Sequence, residues 1–496
     1  MTDHMKKKFS LVRAAAIGSI CGLFLGAVGC ANDWHSASPK YLVPYQNGDF
    51  ATAAAESLHC AHDSVPTDAV LFNLDAGALQ RTIGNIGEST ARFDDADALV
   101  GNYEQWPDVA IGEEFGAALT SARSINYRGK FSDLVMLNTY RALDHMELGQ
   151  NNGARSMLIK AGFVQKDIAE KYADDLKKAQ DETAKDAKSN SDQFDTDKSV
   201  QAGNAQTKDA YKDLLNLRPY GNYVNPFCDY VQGLYFMGAA LDQSDKERAA
   251  TAFKRAASME PENPYIKQDI ADADSVANGH KLPPVTYVIF ETGMAPQMGQ
   301  IQVPLPLFLA NNQAPTVVLY FPTMTVIGDY VPSLGVSAGG ANYQTALVSD
   351  MDSVILQEFK NALPTITTRM IIAASTKAAI DFGIRQGLKS QNGLVQVGYD
   401  VLSAGYQMAA NQADLRAWLV LPKQFQVARF PTPADHQLVL TPGDYSGQVS
   451  VALTDGPVNV VYVKSVRRGV RMVVRQFVIS PDDAKPKAAA PVAAAN

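Results

Sequence analysis

A change of hydrophobic period near residue 280 constrains this chain more than any other feature. From about residue 40 to 275, alanine, leucine and charged residues recur at helical spacing, with glycine at the breaks. Over about 283–340 and again 415–480 the chain is rich in Val, Ile, Tyr and Phe, punctuated by Pro and Gly, which is the pattern of strands. Between those runs, over 343–412, the helical period returns. The expected fold class is α+β: a helical domain over 40–280, then a β-rich domain over 281–481 with a helical insertion. A chain of 496 residues is long enough for both cores.

The helical zone carries a recurrent signature. Asn47-Gly48-Asp49-Phe50 precedes Ala53, Ser57 and Cys60. Glu147-Leu148-Gly149 precedes Ala154, Leu158 and Ala161. Ser244-Asp245 precedes Ala249, Phe253 and Ala256, and Pro261 and Asn263 close that instance. Small, larger, small at this spacing is the second helix of a tetratricopeptide repeat. Small residues let two helices approach, and the larger one fills the gap to the next hairpin. The first helix of the third instance has Met237 where the repeat usually has Gly. The irregular spacing also fits generic helical hairpins.

Residues 165–215 differ: Asp, Glu, Lys, Gln, Ser and Ala dominate. Tyr172, Leu176 and Ala179 form a thin stripe on an expected long, exposed helix, and Ser189 to Ala205 reads as a solvated loop. The Ala/Pro-rich tail, 482–496, is expected to be disordered.

The N-terminus gives an address. Lys6-Lys7-Lys8 precedes an apolar run from Leu11 to Gly29, which ends Ala27-Val28-Gly29-Cys30. A basic start, a short apolar core and a small-residue exit mark a secretory signal over 1–29. A cysteine at that exit resembles the lipobox of bacterial lipoproteins. Cys30 is therefore the expected lipidation site, carrying diacylglycerol and palmitate chains, with 30–39 as a tether. A plain secretory signal or an uncleaved anchor is the alternative. Ala31 at the second position, rather than Asp, points to the outer membrane, facing the periplasm. Of four cysteines, Cys21 would leave with the signal. Cys60 and Cys228 remain in an oxidising compartment, either as a disulfide or as two buried free thiols.

Composition narrows the function classes. A hydrophobic share of 46% and a charged share of 19% are those of a globular protein. A net charge of −8 argues against a nucleic-acid partner. No Walker or dinucleotide fingerprint is present, and no cofactor is expected. Gly335-Val336-Ser337-Ala338-Gly339 matches the G-x-S-x-G nucleophile elbow, with His436 and Asp350 or Asp352 as triad candidates. That elbow needs strand, strained turn, then helix, whereas Pro332, Ser333 and Gly340 read as a glycine-rich connection before a helix near Tyr343. His59-Cys60-Ala61-His62 gathers metal-ligand types but lacks the further ligands zinc needs, and no metal site is assigned. Val458 to Ile479 reads as a hairpin turning at Arg468-Gly469. Arg471 and Arg475 share one face of its return strand, and Lys464 and Arg467 are nearby.

Four segments resemble a family of bacterial lipoproteins that join tetratricopeptide-like helices to a β-rich C-terminal half. They are Tyr140-Arg141-Ala142-Leu143 with Leu148-Gly149 and Ala154-Arg155; Phe290-Glu291-Thr292-Gly293-Met294-Ala295-Pro296; Pro364-Thr365-Ile366-Thr367-Thr368-Arg369 with Lys377-Ala378; and Ala413-Asp414-Leu415-Arg416-Ala417-Trp418 with Leu421-Pro422. The last is the most distinctive. The resemblance implies a cell-envelope location, a scaffold-like role and no enzymatic activity. The family's genes are associated with lipoproteins resembling activators of peptidoglycan-synthesising penicillin-binding proteins.

Glu291, Arg369 and Arg416 adjoin apolar runs, and such charges are rarely buried unpaired. Glu291 is expected to pair with Arg369 or Arg416. Trp418 is core or an interface hot spot. Three functional readings follow. The first is a periplasm-facing outer-membrane lipoprotein that scaffolds envelope proteins on the concave side of its repeats. The second is a binder of peptidoglycan or anionic lipid through the β half and Arg471 and Arg475. The third is a serine hydrolase at Ser337.

Overall fold

The computed structural model describes residues 33–101, 126–189, 195–215, 220, 224–308, 316–388, 414–444 and 447–481. Cys30, the signal segment and the alanine-rich tail lie outside them. The architecture is α+β, with helices first and strands after residue 284.

Among the described residues twelve α-helices precede the first strand: α1 (Trp34–Ala37), α2 (Pro39–Gln46), α3 (Phe50–His62), α4 (Ala69–Thr82), α5 (Ile86–Val100), α6 (Phe131–Glu147), α7 (Asn151–Phe163), α8 (Ala169–Ser189), α9 (Thr196–Leu215), α10 (Pro226–Gly238), α11 (Gln243–Met259) and α12 (Pro264–Ala277). Their starts follow local chemistry. Asn225-Pro226 and Asn263-Pro264 place a capping side chain just before a proline whose missing N–H costs nothing there. The expected tether is shorter than 30–39, because Trp34 is already helical and its N–H donates to Asp68 Oδ2 at 2.9 Å.

All three triads are the buried faces of second helices. Ala53, Ser57 and Cys60, then Ala154, Leu158 and Ala161, then Ala249, Phe253 and Ala256 are each 0–1% exposed. A fourth triad at the same spacing, Ser89, Phe93 and Ala96 on α5, is also fully buried. In two of the four, the partner of the larger residue is a glycine in the preceding helix. A Cβ at Gly233 would lie 2.6 Å from the Phe253 ring, and one at Gly77 would lie 2.6 Å from Phe93. Gly233, four residues before Met237, is thus the close-approach position. Gly233→Ala should lower stability by about 1–3 kcal/mol through overpacking, although alanine favours helices. Thermal melts of that variant with and without Phe253→Leu test this, since the smaller partner should restore part of the loss.

Among the described residues eleven strands form three sheets. The largest has the order β11 (Val473–Ile479), β10 (Val458–Ser465), β1 (Val285–Thr292), β7 (Gln424–Pro431), β6 (Ala346–Asp350). Here β1 and β10 run parallel and the other pairs antiparallel. Both β1 and β10 are buried along their whole length, as central strands covered on two faces are. One face meets the helices: Tyr287 reaches Asp269 on α12, and Glu291 reaches Tyr140 on α6. The opposite face meets the sheet β5 (Ala341–Gln344), β4 (Leu334–Ala338), β8 (Gln437–Pro442), β9 (Val449–Ala452), where Tyr343 stacks on Phe430. One hydrophobic core runs through helices and both sheets, so the two halves are a single packed body.

An arm leaves this body. The hairpin of β2 (Gln297–Pro306) and β3 (Thr316–Thr325) packs on α9 and on α13 (Met351–Leu388). A second, smaller core of Val303, Leu305, Leu307, Leu319, Phe321, Ile371 and Ala374 holds them together. Helix α7 passes through a π-turn, Val164–Ile168, into α8, whose main contacts are with that turn, α13 and α9.

Several expectations are corrected. The C-terminal helix starts at Met351, not near Tyr343, because β5 and β6 occupy 341–350. Most of Ser189–Ala205 is not loop: α9 begins at Thr196, and Gly203 and Thr207 are buried on its inner side. Leu176 and Ala179 on α8 are buried too. The Cys60–Cys228 disulfide is not formed. Both are buried free thiols: Cys60 Sγ lies 3.9 Å from the Ala37 carbonyl, and Cys228 Sγ lies 3.5 Å from Gln232 Nε2.

Candidate functional site

The charged residues singled out in the sequence separate into a buried seam, the arm and an exposed turn. The seam lies where helices cover the five-stranded sheet. Register places Glu291 on β1 directly beside Lys464 on β10. The Glu291 carboxylate takes Lys464 Nζ at 2.6 Å, the Tyr462 hydroxyl at 2.7 Å and the Tyr140 hydroxyl at 3.1 Å. Burial acts to raise the Glu291 carboxyl, but Lys464 and the Tyr462 hydroxyl outweigh it and hold it below the usual range. The expected pairing of Glu291 with Arg369 or Arg416 is therefore replaced by Lys464, its neighbour in register.

Arg81 continues the seam. Its guanidinium lies 4.8 Å from the Tyr462 ring centre and pairs with Asp144, which also accepts from Ser89 at 2.7 Å. Arg475 belongs here as well, not to an outward stripe. Its Nε is 2.9 Å from Glu147, and it donates to the Arg81 carbonyl. A parallel set joins Arg429, Asp269, Tyr230 and Tyr287 between β7, β1, α10 and α12.

Arg416 and Trp418 pin the segment before β7 to the helices. Arg416 reaches Asp68 at 3.0 Å, Asp414 at 2.7 Å and the Thr67 carbonyl at 3.1 Å. Trp418 is buried, edge-on to Phe93 and Tyr140 with ring centres 6.0 and 5.8 Å away. Next to it, the Leu419 N–H donates to Asp75, which also accepts from the Tyr41 hydroxyl at 2.7 Å. Burial pushes the Asp75 carboxyl up to about 7, against the hydrogen bonds it accepts from Tyr41 and Leu419.

Arg369 lies in the arm, where its Nε donates to Thr183 Oγ1 at 2.9 Å on α8. One turn earlier, Pro364 interrupts α13 and leaves the Lys360 carbonyl without its helical donor. A groove of about 270 Å³ opens there, with Leu363, Pro364 and Thr368 of α13 facing Asn204, Lys208 and Tyr211 of α9.

The remaining candidates do not assemble chemistry. Ser337 sits in a β4–β5 hairpin, not a strand–helix elbow, and its hydroxyl lies 2.6 Å from Asn342 Oδ1. Asp352 is taken by Lys423, and the His436 backbone lies at the turn before β8. His59 and His62 are exposed beside Asp63 while Cys60 is buried. Among the described residues no group of three or more metal-ligating side chains is present. No helix there is long and apolar enough to cross a membrane. Arg471 is exposed, outside β11, in the turn that follows β10.

Sequence reasoning missed Tyr140, Tyr462, Arg81, Asp144 and Asp68. The available signal was one charge in each of two apolar strands, Glu291 and Lys464, seventh in each. No protein-family model, curated protein or solved structure matches the chain.

Proposed function

We propose that this chain is a lipid-anchored protein of the outer membrane, facing the periplasm, that acts as an interaction scaffold for another envelope protein through its arm. The hairpins are read as divergent tetratricopeptide-like repeats, in line with the lipoprotein family the sequence resembles. One observation moves the binding surface away from their concave side. Helices α4, α6 and α10, the first helices of three hairpins, are buried along almost their full length. The sheet of the same chain packs on these helices, which leaves little of them open to a peptide. The arm has its own small core and carries the groove at Pro364.

The test must leave the body intact, because deleting helices would bare β1 and β10. Asn204→Trp with Lys208→Glu fills and recharges the groove from exposed positions on α9. Cross-linking and recovery from detergent-solubilised envelopes should lose the partner of the wild-type chain, while thermal melting is unchanged. Retention of the same partner by the folded variant would remove the arm from the account. Metabolic labelling with palmitate, absent from Cys30→Ser, tests the anchor separately.

A further inference from the structure

The turn between β10 and β11 carries an unneutralised basic cluster, and from it we infer that this turn is a docking point for an anionic phospholipid surface. Arg467, Arg468 and Arg471 fall within five residues. Arg467 Nη2 donates to Asn47 Oδ1 at 3.2 Å, and Arg468 Nε donates to the Tyr330 carbonyl at 3.0 Å. Arg471 is exposed, and none of the three pairs with a carboxylate among the described residues. In contrast, Arg81, Arg141, Arg155, Arg416, Arg429 and Arg475 all do. In a chain of net charge −8, three guanidiniums that make no ion pair among the described residues stand together in one turn.

The turn is held rigidly. Gly469 adopts φ +73°, and its N–H donates to Asp444 at 2.8 Å. Val470 and Met472 are buried, and Val470 packs directly on Gly48. Two carboxylates flank the cluster and keep their charge. Asp49 accepts from the Thr52 N–H and Asp444 from the Gly469 N–H, but neither forms an ion pair with the three arginines. Asp329, beside Tyr330, is exposed but makes no ion pair with the three arginines.

Position selects the occupant. Asn47 ends α2, and the chain back to Asp33 and on to Cys30 spans about 30 Å at most, at helical and extended rises. A lipid at Cys30 would keep a bilayer within reach of the turn. Val43 on α2, one helical turn before Asn47, is 52% exposed and adds an apolar side chain on the same helix. Guanidinium forks suit headgroup phosphates. This proximity rests on the lipid-anchored reading, but the docking chemistry needs neither lipid nor protein partner.

The experiment uses the unlipidated chain, residues 31–496, sedimented with phosphatidylglycerol-rich vesicles and with phosphatidylcholine vesicles. The wild type should partition onto the anionic vesicles and release with salt. Arg468→Ala with Arg471→Ala should weaken that partition roughly twentyfold, at about fivefold per arginine. The double lysine variant should retain most of it, with unchanged thermal melting in both. Equal binding to both vesicle types, no binding to either, or full retention by the alanine variant would overturn the inference. So would arginine-dependent binding to purified peptidoglycan in place of vesicles.

Discussion

Glu291→Ala is expected to lower the stability of the folded chain by ~3–5 kcal/mol, because it leaves Lys464 charged and buried without its partner. The change also strips the acceptor from the Tyr140 and Tyr462 hydroxyls, which lie 3.1 and 2.7 Å from that carboxylate. Denaturant unfolding followed by circular dichroism measures the loss. A double replacement, Glu291→Leu with Lys464→Met, should cost much less than Glu291→Ala alone, since no charge is then left unpaired. The pH dependence has a definite sign. Glu291 titrates below its unfolded value in the folded state, so its contribution is present above the ordinary carboxylate range. It is lost as pH falls through the lowered value. Lys464 is raised above 10.5 by the same partner, against the effect of burial, so its contribution holds below that value and fails as pH rises through the raised one. The pair therefore stabilises across the neutral range and weakens at both extremes. A loss well under ~1 kcal/mol for Glu291→Ala would mean that water reaches the seam.

Arg416→Ala is the second large effect, also ~3–5 kcal/mol, because Asp68 would keep a buried charge without its guanidinium. Asp68 also accepts from the Trp34 N–H at 2.9 Å, so the change should loosen the N-terminal helix together with the segment before β7. Arg416→Lys should recover only part of the loss. An ammonium cannot span Asp68, Asp414 and the Thr67 carbonyl as a planar fork does. If Arg416 and Trp418 were binding residues, Arg416→Ala would leave the melt unchanged and abolish partner recovery. Their burial predicts the reverse: a lower melt, with partner recovery following the folded fraction.

Much of the secondary structure was legible because period and punctuation act locally. The helix-to-strand switch, the Asn-Pro starts and the three small–larger–small triads report on neighbours within a few residues. The fourth triad, Ser89, Phe93 and Ala96, went unread, although Gly84 precedes it by the same five residues as Gly48 and Gly149 precede the first two and shares their positive φ. The pairing of Glu291 was not legible, because it depends on β1 lying parallel to β10, about 170 residues later. Arg475 misled for the same reason. Alternation correctly put it on one face of a strand, but only the fold shows that α4 and α6 cover that face. Ser337 matched a motif whose chemistry requires a following helix, and the Gly339-Gly340 turn leads back into a strand instead. Ser189 to Ala205 reads as loop because its few apolar residues are spread a helical turn apart, and over 196–205 it is helix. Val200, Gly203, Thr207 and Tyr211 form a stripe that pays off only against β2 and α13.

These contacts make the helical half and the five-stranded sheet one body, with the β2–β3 hairpin held on a second, smaller core. Native-state hydrogen exchange across the chain tests that claim most directly. In the wild type, amides of α4, α6, β1 and β10 should open with one shared free energy, and Glu291→Ala should lower all four together. If α4 and α6 keep their protection while β1 and β10 lose theirs, the two halves are separable. The sheet-covered faces of those helices would then be open to partners.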